Sequence, residues 1–301
     1  MASDKQVSLV MPSSPSPIIS IGVPVYNGSR FLRGALESFL GQSFSDIELI
    51  ISDNASTDAT EDICREFAMR DARIRYVRQA VNIGAMRNWN FVAKQARGRF
   101  FKWSSANDYC SPDMLAHCFA AMEPDPRIVL CFPRTCLVDQ ETGSLTEYEE
   151  DIELMEDSPY ERFGKVRESL RLNNPLIGLI RTDSLLRTRL NRVYPGGDMV
   201  LTAELALSGR FLLLPEILLY RRVGEVTSSN RLSPEEERVW LDPLRTSTIG
   251  SPLLSLHLGY IGAALRAPIN LSEKLKTLRS ALRSAAWDRE KIYSELRRAQ
   301  K

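Results

Sequence analysis

From Ile18 onward the chain alternates short apolar runs with stretches of helical period. Ile18 to Tyr26 is β-branched, lacks strict polar alternation and closes on Asn27-Gly28. That pattern predicts a strand buried on both faces and ended by turn residues. Phe31, Leu32, Ala35, Leu36, Phe39 and Leu40 then recur at three- and four-residue spacing, predicting a helix. Asp46 to Ser52 reads as a second buried strand that empties into the polar loop Asp53 to Asp58. A helix from about Ala59 to Met69, a strand Ile74 to Val77, a helix Ala85 to Ala96 and a strand Gly98 to Trp103 follow. The order is β-α-β-α-β-α-β, which predicts right-handed crossovers and a parallel sheet. In such sheets ligands sit beyond the carboxyl ends of the strands. The loops at Tyr26-Asn27, Asp53 to Asp58 and Ala106 to Asp108 all follow strand ends and are expected to share one crevice.

The second half has a different texture. Asp113 to Met122 is expected to be a helix and Arg127 to Phe132 a strand. Glu141 to Asp157 contains eight acidic residues and reads as a solvated insertion. Asn173 to Ile180 looks like a core segment, and Gly196-Gly197-Asp198 opens a helix running to Leu207. Arg210 to Arg222 is a strand, or a strand pair broken at Pro215, and the chain is helical from Ser233. No internal repeat is present. The organisation expected is a disordered leader (1–17), a first half of the α/β unit (18–115), a second half (116–229) and a helical extension (230–301).

Composition narrows the function classes. The chain has 301 residues, with 39 Lys and Arg against 38 Asp and Glu, so its formal charge is +1. No global basic field advertises nucleic-acid binding. The five cysteines form no Cys-x-x-Cys pair, and only His117 and His257 are available to complete a zinc site. Buried reduced thiols in a cytoplasmic protein are expected. The Ser- and Pro-rich leader lacks the apolar core of a secretory signal. The longest uncharged stretch, Ile249 to Leu265, falls short of the roughly 20 apolar residues a membrane span needs.

Chemistry concentrates at the strand ends. Asp53 stands at the crevice edge, where a carboxylate accepts hydrogen bonds from a nucleobase or ribose, whereas Asp58 or Thr57 suits a helix cap. Asp108, after the apolar run Phe100 to Trp103, is placed to hold a hard divalent cation, or simply to start the turn that ends at Pro112. A nicotinamide-binding enzyme would carry Gly-x-Gly-x-x-Gly after the first strand, where this chain has Pro24-Val25-Tyr26-Asn27-Gly28-Ser29.

In context these segments resemble the family 2 glycosyltransferases. Val23 to Asn27 is similar to their opening motif, and Ser52 to Thr60 to their Asp-x-x-Ser-x-Asp loop. Asn82-Ile83-Gly84 with Arg87-Asn88 looks like the segment before their fourth strand, and Asn107-Asp108 stands at their metal motif. The resemblance is specific over about residues 18–115 and continues more weakly to about 229, through Gly197-Asp198 and Tyr220-Arg221-Arg222. It implies a GT-A (Rossmann-like) nucleotide-diphospho-sugar transferase fold with a mostly parallel central sheet, to which the helical C-terminal extension is added. It also implies inverting transfer of a sugar to a hydroxyl acceptor, in glycan, polysaccharide or glycolipid assembly.

Carried over position by position, the resemblance implies that Pro24 and Tyr26 line the nucleotide pocket and that Asp53 holds the base. Asn82, Gly84 and Arg87 would lie along the nucleotide-sugar, and Asn107 would face the ribose or sugar. Asp108 would ligate Mg²⁺ or Mn²⁺, Arg222 would meet phosphate, and Asp198 would be the base at the acceptor, a glycan or lipid-linked hydroxyl. Two positions depart from the family pattern. Ser105-Ala106-Asn107-Asp108 replaces Asp-x-Asp-Asp, and Arg222-Val223-Gly224 lacks the His of Arg-x-His. A non-catalytic nucleotide-sugar- or carbohydrate-binding relative is the alternative these departures motivate.

Residues 270–301 begin with a capping box, Asn270-Leu271-Ser272-Glu273. Leu271, Leu275, Leu278, Leu282, Ala285, Ile292 and Leu296 then form one apolar stripe on a predicted helix of about seven turns. Nine basic residues stand against four acidic ones. Two placements fit: the stripe packs on the catalytic domain, or it attaches the protein peripherally to an anionic cytoplasmic leaflet.

Overall fold

A computed structural model describes residues 16–224, 232–244 and 251–299. The predicted leader lies outside the described residues up to residue 15. The first seven elements follow the predicted order: β1 (Ile19–Val25), α1 (Ser29–Leu40), β2 (Ile47–Asp53), α2 (Thr60–Arg70), β3 (Ile74–Arg78), α3 (Ala85–Lys94) and β4 (Phe100–Trp103). All seven residues of β1 and all seven of β2 are buried, as strands covered by helices on both faces must be. Each large side chain so buried contributes on the order of 2 kcal/mol of transfer free energy. Gly22 permits the tight centre of this core. A Cβ there would fall 2.7 Å from both Phe101 Cζ and Val92 Cγ2.

The chain continues through β5 (Tyr109–Cys110), α4 (Met114–Met122), β6 (Ile128–Asp139), β7 (Leu145–Tyr148) and α5 (Pro159–Ser169). A 3-10 turn (Asn174–Ile177), β8 (Leu179–Arg181), α6 (Thr182–Leu186), α7 (Gly197–Ser208) and β9 (Arg210–Val223) complete the sheet region. Among the described residues one sheet has the strand order β3-β2-β1-β4-β8-β6-β9-β5, with β7 on β6. β3, β2, β1 and β4 are mutually parallel. Beyond β4 the sheet is mixed: β8 is antiparallel to β4 and β6, while β6 and β9 run parallel. The predicted break at Pro215 is a bulge within one strand, where the β6 register jumps from Leu214 to Ile217.

The acidic segment is more than a solvated insertion. It supplies β7, and the fully buried Leu154 pairs with Phe211. Helix α5 and the two-residue β5 are additions to the predicted elements. The α5 start was written locally: the Ser158 hydroxyl accepts from the Glu161 amide, with Pro159 in the first turn.

The C-terminal extension comprises α8 (Pro234–Leu241), α9 (Pro252–Arg266), α10 (Leu271–Trp287) and α11 (Arg289–Ala299). The predicted single helix over 270–301 is therefore two, parted at Asp288, whose carboxylate lies 3.2 Å from His257 Nε2 of α9. Asn270 caps α10 as expected, accepting from the Glu273 amide. The packed face of α10 is not the predicted leucine stripe. Glu273, Thr277 and Ala281 are buried, whereas Leu271, Leu275 and Leu282 are exposed.

Glu273 is the polar anchor of that packing. Its Oε2 accepts from Ser158 Oγ at 2.5 Å and from the Tyr160 amide at 3.1 Å, so α10 caps α5. Lys276, together with Ser158 and the Tyr160 amide, holds the Glu273 carboxyl down at about 2. A depressed carboxylate stabilises the fold above its ordinary value near 4.5 and loses that contribution as pH falls toward 2. Glu273→Gln is accordingly expected to lower the melting temperature at pH 7, with the gap to wild type closing between about pH 4.5 and 2. Thermal unfolding followed across that range checks it; a gap that does not change with pH would assign the effect to shape alone.

Candidate functional site

The strand order reverses direction at β1, whose neighbours are β2 on one side and β4 on the other. Such a switch point opens a crevice at the carboxyl edge. Pro24 sits at that opening. The Gly22 carbonyl accepts from Ser104 on the β4 side and the Val25 carbonyl accepts from Asn54 on the β2 side. By strand alternation, the N–H that Pro24 lacks would point toward β4. The β1–β4 pairing ends at Gly22 and Trp103, so no ladder bond is lost there. Tyr26, just past the strand, is about half exposed at the rim.

The loop after β2 is tied to the loop after β1. Asn27, with φ 49°, accepts through Oδ1 from the Thr57 amide at 2.8 Å, and its own amide donates to Ser56 Oγ at 2.9 Å. Asp58 accepts from the Ser29 amide at the start of α1 and from the Thr60 amide at the start of α2. Burial opposes ionisation of Asp58, but the Thr60 and Ser29 hydrogen bonds prevail and hold it at about 2. Asp58 thus has the capping role available to it from the sequence. Asp53 is fully buried. Its carboxylate accepts from the Ser56 amide, the Tyr76 hydroxyl and the Arg78 guanidinium. Three of its roughly four acceptor positions are engaged within the protein.

Asn54 joins this loop to the next. Its Nδ2 donates to Asn82 Oδ1 at 2.8 Å, and its Oδ1 accepts from the Ile83 amide at 2.9 Å. Asn82 Oδ1 also accepts from the Gly84 amide. Gly84 has φ +86°, and a Cβ there would lie 2.3 Å from the Leu241 carbonyl oxygen. Arg87, one turn on, makes a bidentate ion pair with Asp242 at 2.6 and 2.7 Å. Gly84 and Arg87 therefore meet the C-terminal end of α8 and the residue after it. No family motif pointed to Asp242; its partner was visible only once the chain had folded.

At the end of β4, Asn107 is half-buried and its side-chain oxygen accepts from Ser105 Oγ. Asp108 is buried, and its Oδ1 accepts from the Arg222 amide at 2.9 Å. Burial pushes the Asp108 carboxyl up, against the pull of Arg221, Lys102 and Arg222. The Arg222 guanidinium donates to the Asn107 carbonyl and lies over the rings of Tyr109 and Phe31, at 4.7 and 4.9 Å. It clasps the 107–108 turn from across the sheet. Among the described residues no three His, Cys, Asp or Glu side chains converge on a point. The donor set is one carboxylate, which fits a hard cation held mainly by substrate phosphates and water.

Asp198 lies in the first turn of α7, partly exposed. Its Oδ2 accepts from Asn173 Nδ2 at 3.0 Å, and Asn173 Oδ1 accepts from Thr202 Oγ1 at 2.8 Å. The neighbouring Asn174 is fully buried. It donates to Asp151 and accepts from Arg221, at 2.9 and 2.8 Å. Asn173 and Asn174 read from the sequence only as a core segment. Two adjacent amides before a Pro, in an otherwise apolar run, were the available signal. Polar contacts join Asp108 to Arg222 and Asn173 to Asp198, and the adjacent pairs Arg221-Arg222 and Asn173-Asn174 complete the link. The 107–108 turn and α7 thus share one polar framework.

Comparisons with known proteins agree with this architecture. The family model described as Glycosyl transferase family 2 matches residues 20–194. An uncharacterized glycosyltransferase of Rickettsia typhi is 30% identical over 131 residues, 43% of this chain and 40% of that protein. The chain therefore aligns with less than half of that relative's length. Crystal structures of S. aureus TarS 1–349 share the fold. The complex with UDP has a TM-score of 0.62 at 18% identity, covering 89% of this chain and 71% of that one. The complex with UDP-GlcNAc has a TM-score of 0.59 at 20% identity, covering 88% and 71%. The architecture is the GT-A type that the motifs implied, with a helical C-terminal region. Because the family match spans more than half of the chain, from β1 to the approach to α7, this protein belongs to glycosyl transferase family 2.

Proposed function

We propose that the protein transfers a sugar, with inversion, from a nucleotide-diphosphate donor to a hydroxyl of a glycan or lipid-linked acceptor. The observation that carries this reading is the polar framework joining Asp108 to Asp198 through Arg222-Arg221 and Asn174-Asn173. It sets a candidate diphosphate site and a candidate base in one frame. The likeness to TarS, whose structures hold UDP and UDP-GlcNAc, supports a UDP-sugar as the first donor to try. The five cysteines are buried and unpaired, which supports a reducing cytoplasmic setting. Polysaccharide or glycolipid assembly is the pathway class this reading suits.

On this reading Pro24 and Tyr26 border the nucleotide pocket. Asp53 and Asn82 set the shape of the loops that receive the base. Arg87 and Gly84 fix the donor loop through Asp242 and Leu241, and Asn107 lies toward the ribose or sugar. Asp108 would hold Mg²⁺ or Mn²⁺ through its carboxylate, and such a cation supplies charge neutralisation on the leaving diphosphate. Arg222 adds positive charge beside the same turn. Asp198 takes the acceptor proton as the hydroxyl attacks the anomeric carbon from the face opposite the leaving group. The C–O bond to the diphosphate breaks, so no covalent enzyme intermediate is needed. A positioned base of this kind contributes ~10²–10⁴ in rate. The single acid of the 107–108 turn favours a second reading, binding without turnover.

Four substitutions test the assignment. Asp198→Asn is expected to lower turnover at least about tenfold while donor affinity stays unchanged, since the base acts on the acceptor proton. Unchanged turnover would remove Asp198 from the reaction, and no turnover in wild type with bound donor would favour the second reading.

Asp108→Ala is expected to abolish the Mn²⁺-dependent part of UDP-sugar binding measured by calorimetry, and Asn107→Asp to tighten Mn²⁺ binding in the presence of UDP. Equal donor affinity in Asp108→Ala and wild type at saturating Mn²⁺ would sink the metal assignment.

Asn173→Ala is expected to lower kcat without raising KM for the donor, and to cost nothing further in the Asp198→Asn background. Additive losses in that double-mutant cycle would mean that Asn173 does not act through Asp198.

A further inference from the structure

The face that α10 turns to solvent is unusual for a helix packed on a domain. Leu271, Leu275 and Leu282 are 71%, 58% and 54% exposed, and Leu278 is half-buried between them. At 100° per residue these four leucines occupy an arc of about 60°. The packed face, Glu273, Thr277 and Ala281, is centred about 130° away. The row is therefore not the edge of the core. Lys274 borders it on one side, and Arg279 and Arg283 on the other. Lys274 donates to the Leu265 carbonyl at 3.1 Å, bringing the end of α9 and its exposed Leu265 beside the row. The last residue of α10, Trp287, is 85% exposed.

On the arginine side there is a crevice between α5 and α10, lined by Tyr160, Lys276, Arg279, Ser280 and Arg283. Lys276 is paired with Glu273, and Ser280 accepts from Arg167. Arg279 and Arg283 have no acidic partner among the described residues. Their charge is directed outward, next to bare leucines. An apolar row flanked by cations on both sides is the pattern of a helix lying in a membrane interface.

We infer that α10 docks the protein on an anionic lipid bilayer. The leucine row enters the acyl boundary and the Arg279–Arg283 crevice receives lipid phosphates. Charge selects this occupant over a second copy of the chain. Both flanks of the row are positive, so a self-contact through it brings like charges together. An anionic surface meets the same flanks with opposite sign. The inference does not rest on the transferase reading, because attachment is measured without turnover.

The test is co-sedimentation of the full chain with large vesicles, either neutral phosphatidylcholine or phosphatidylcholine with about a third phosphatidylglycerol. The protein is expected to pellet with the anionic vesicles at low salt, to be released in ~0.5 M NaCl, and to stay in solution with neutral ones. Leu275→Glu and Leu282→Glu alter exposed positions and are expected to keep the wild-type melting temperature while lowering vesicle affinity at least about tenfold. Arg279→Glu with Arg283→Glu is expected to do the same. Free inorganic phosphate at millimolar level is expected not to release the protein, which separates a bilayer from a soluble phosphate ligand. Failure to pellet at low salt, equal binding to neutral vesicles, or a vesicle-independent dimer broken by Leu275→Glu would each overturn the inference.

Discussion

A buried lysine joins the two halves of this fold. Lys102, on the last parallel strand, is 1% exposed, and burial lowers its affinity for a proton. Its Nζ donates to the Trp103 carbonyl and, across the sheet, to the Ile177 carbonyl at 3.1 and 2.5 Å. A buried amino group is tolerated only when it finds acceptors. The 3-10 turn ending at Ile177 must therefore lie against the end of β4. That requirement sets Asn173 and Asn174, and through them Asp198 and Arg221, beside the Asn107-Asp108 turn.

The candidate site is built largely from loops that hold one another. Asn27, Asn54 and Asn82 bridge neighbouring strand-end loops through their side-chain amides: Asn27 and Asn82 accept through Oδ1, and Asn54 donates and accepts at once. Arg222 does the same for the 107–108 turn with its amide, guanidinium and flat face. Such ties fix the crevice before any ligand arrives, the condition for positioning groups near a reacting centre. They also show why position in a motif does not by itself give a contact with substrate. Asp53 and Arg87 both stand in motif positions, and both are committed to partners inside the protein.

The first half was legible because its signals are local. Uninterrupted apolar runs, helical spacing and turn residues over 18–115 gave seven elements in the right order. The second half depends on non-local pairing. Strand β5 exists only because Tyr109 and Cys110 meet Tyr220 and Leu219, and no two-residue window announces that. The acidic segment was read by charge, which hid the buried Leu154 and the Asp151 contact with Asn174. On α10 the periodicity was read correctly, and of the two placements it allowed, Leu271, Leu275 and Leu282 do not take the one packed on the domain. A leucine stripe says that a face seeks cover without saying what covers it. The polar residues Glu273 and Ser280 held the contacts with α5 instead.

The pairing of Arg87 with Asp242 spans 155 residues of chain. Ribosomes add about 5–20 residues each second. The loop that starts α3 is thus synthesised on the order of 10–30 s before the carboxylate and the Leu241 carbonyl that close over it. During that interval the first parallel strands can form while Gly84 and Arg87 still lack their cover. This side of the crevice is completed late, by residues 241–242, so a nascent fragment acquires its first parallel strands well before the 84–87 loop is covered.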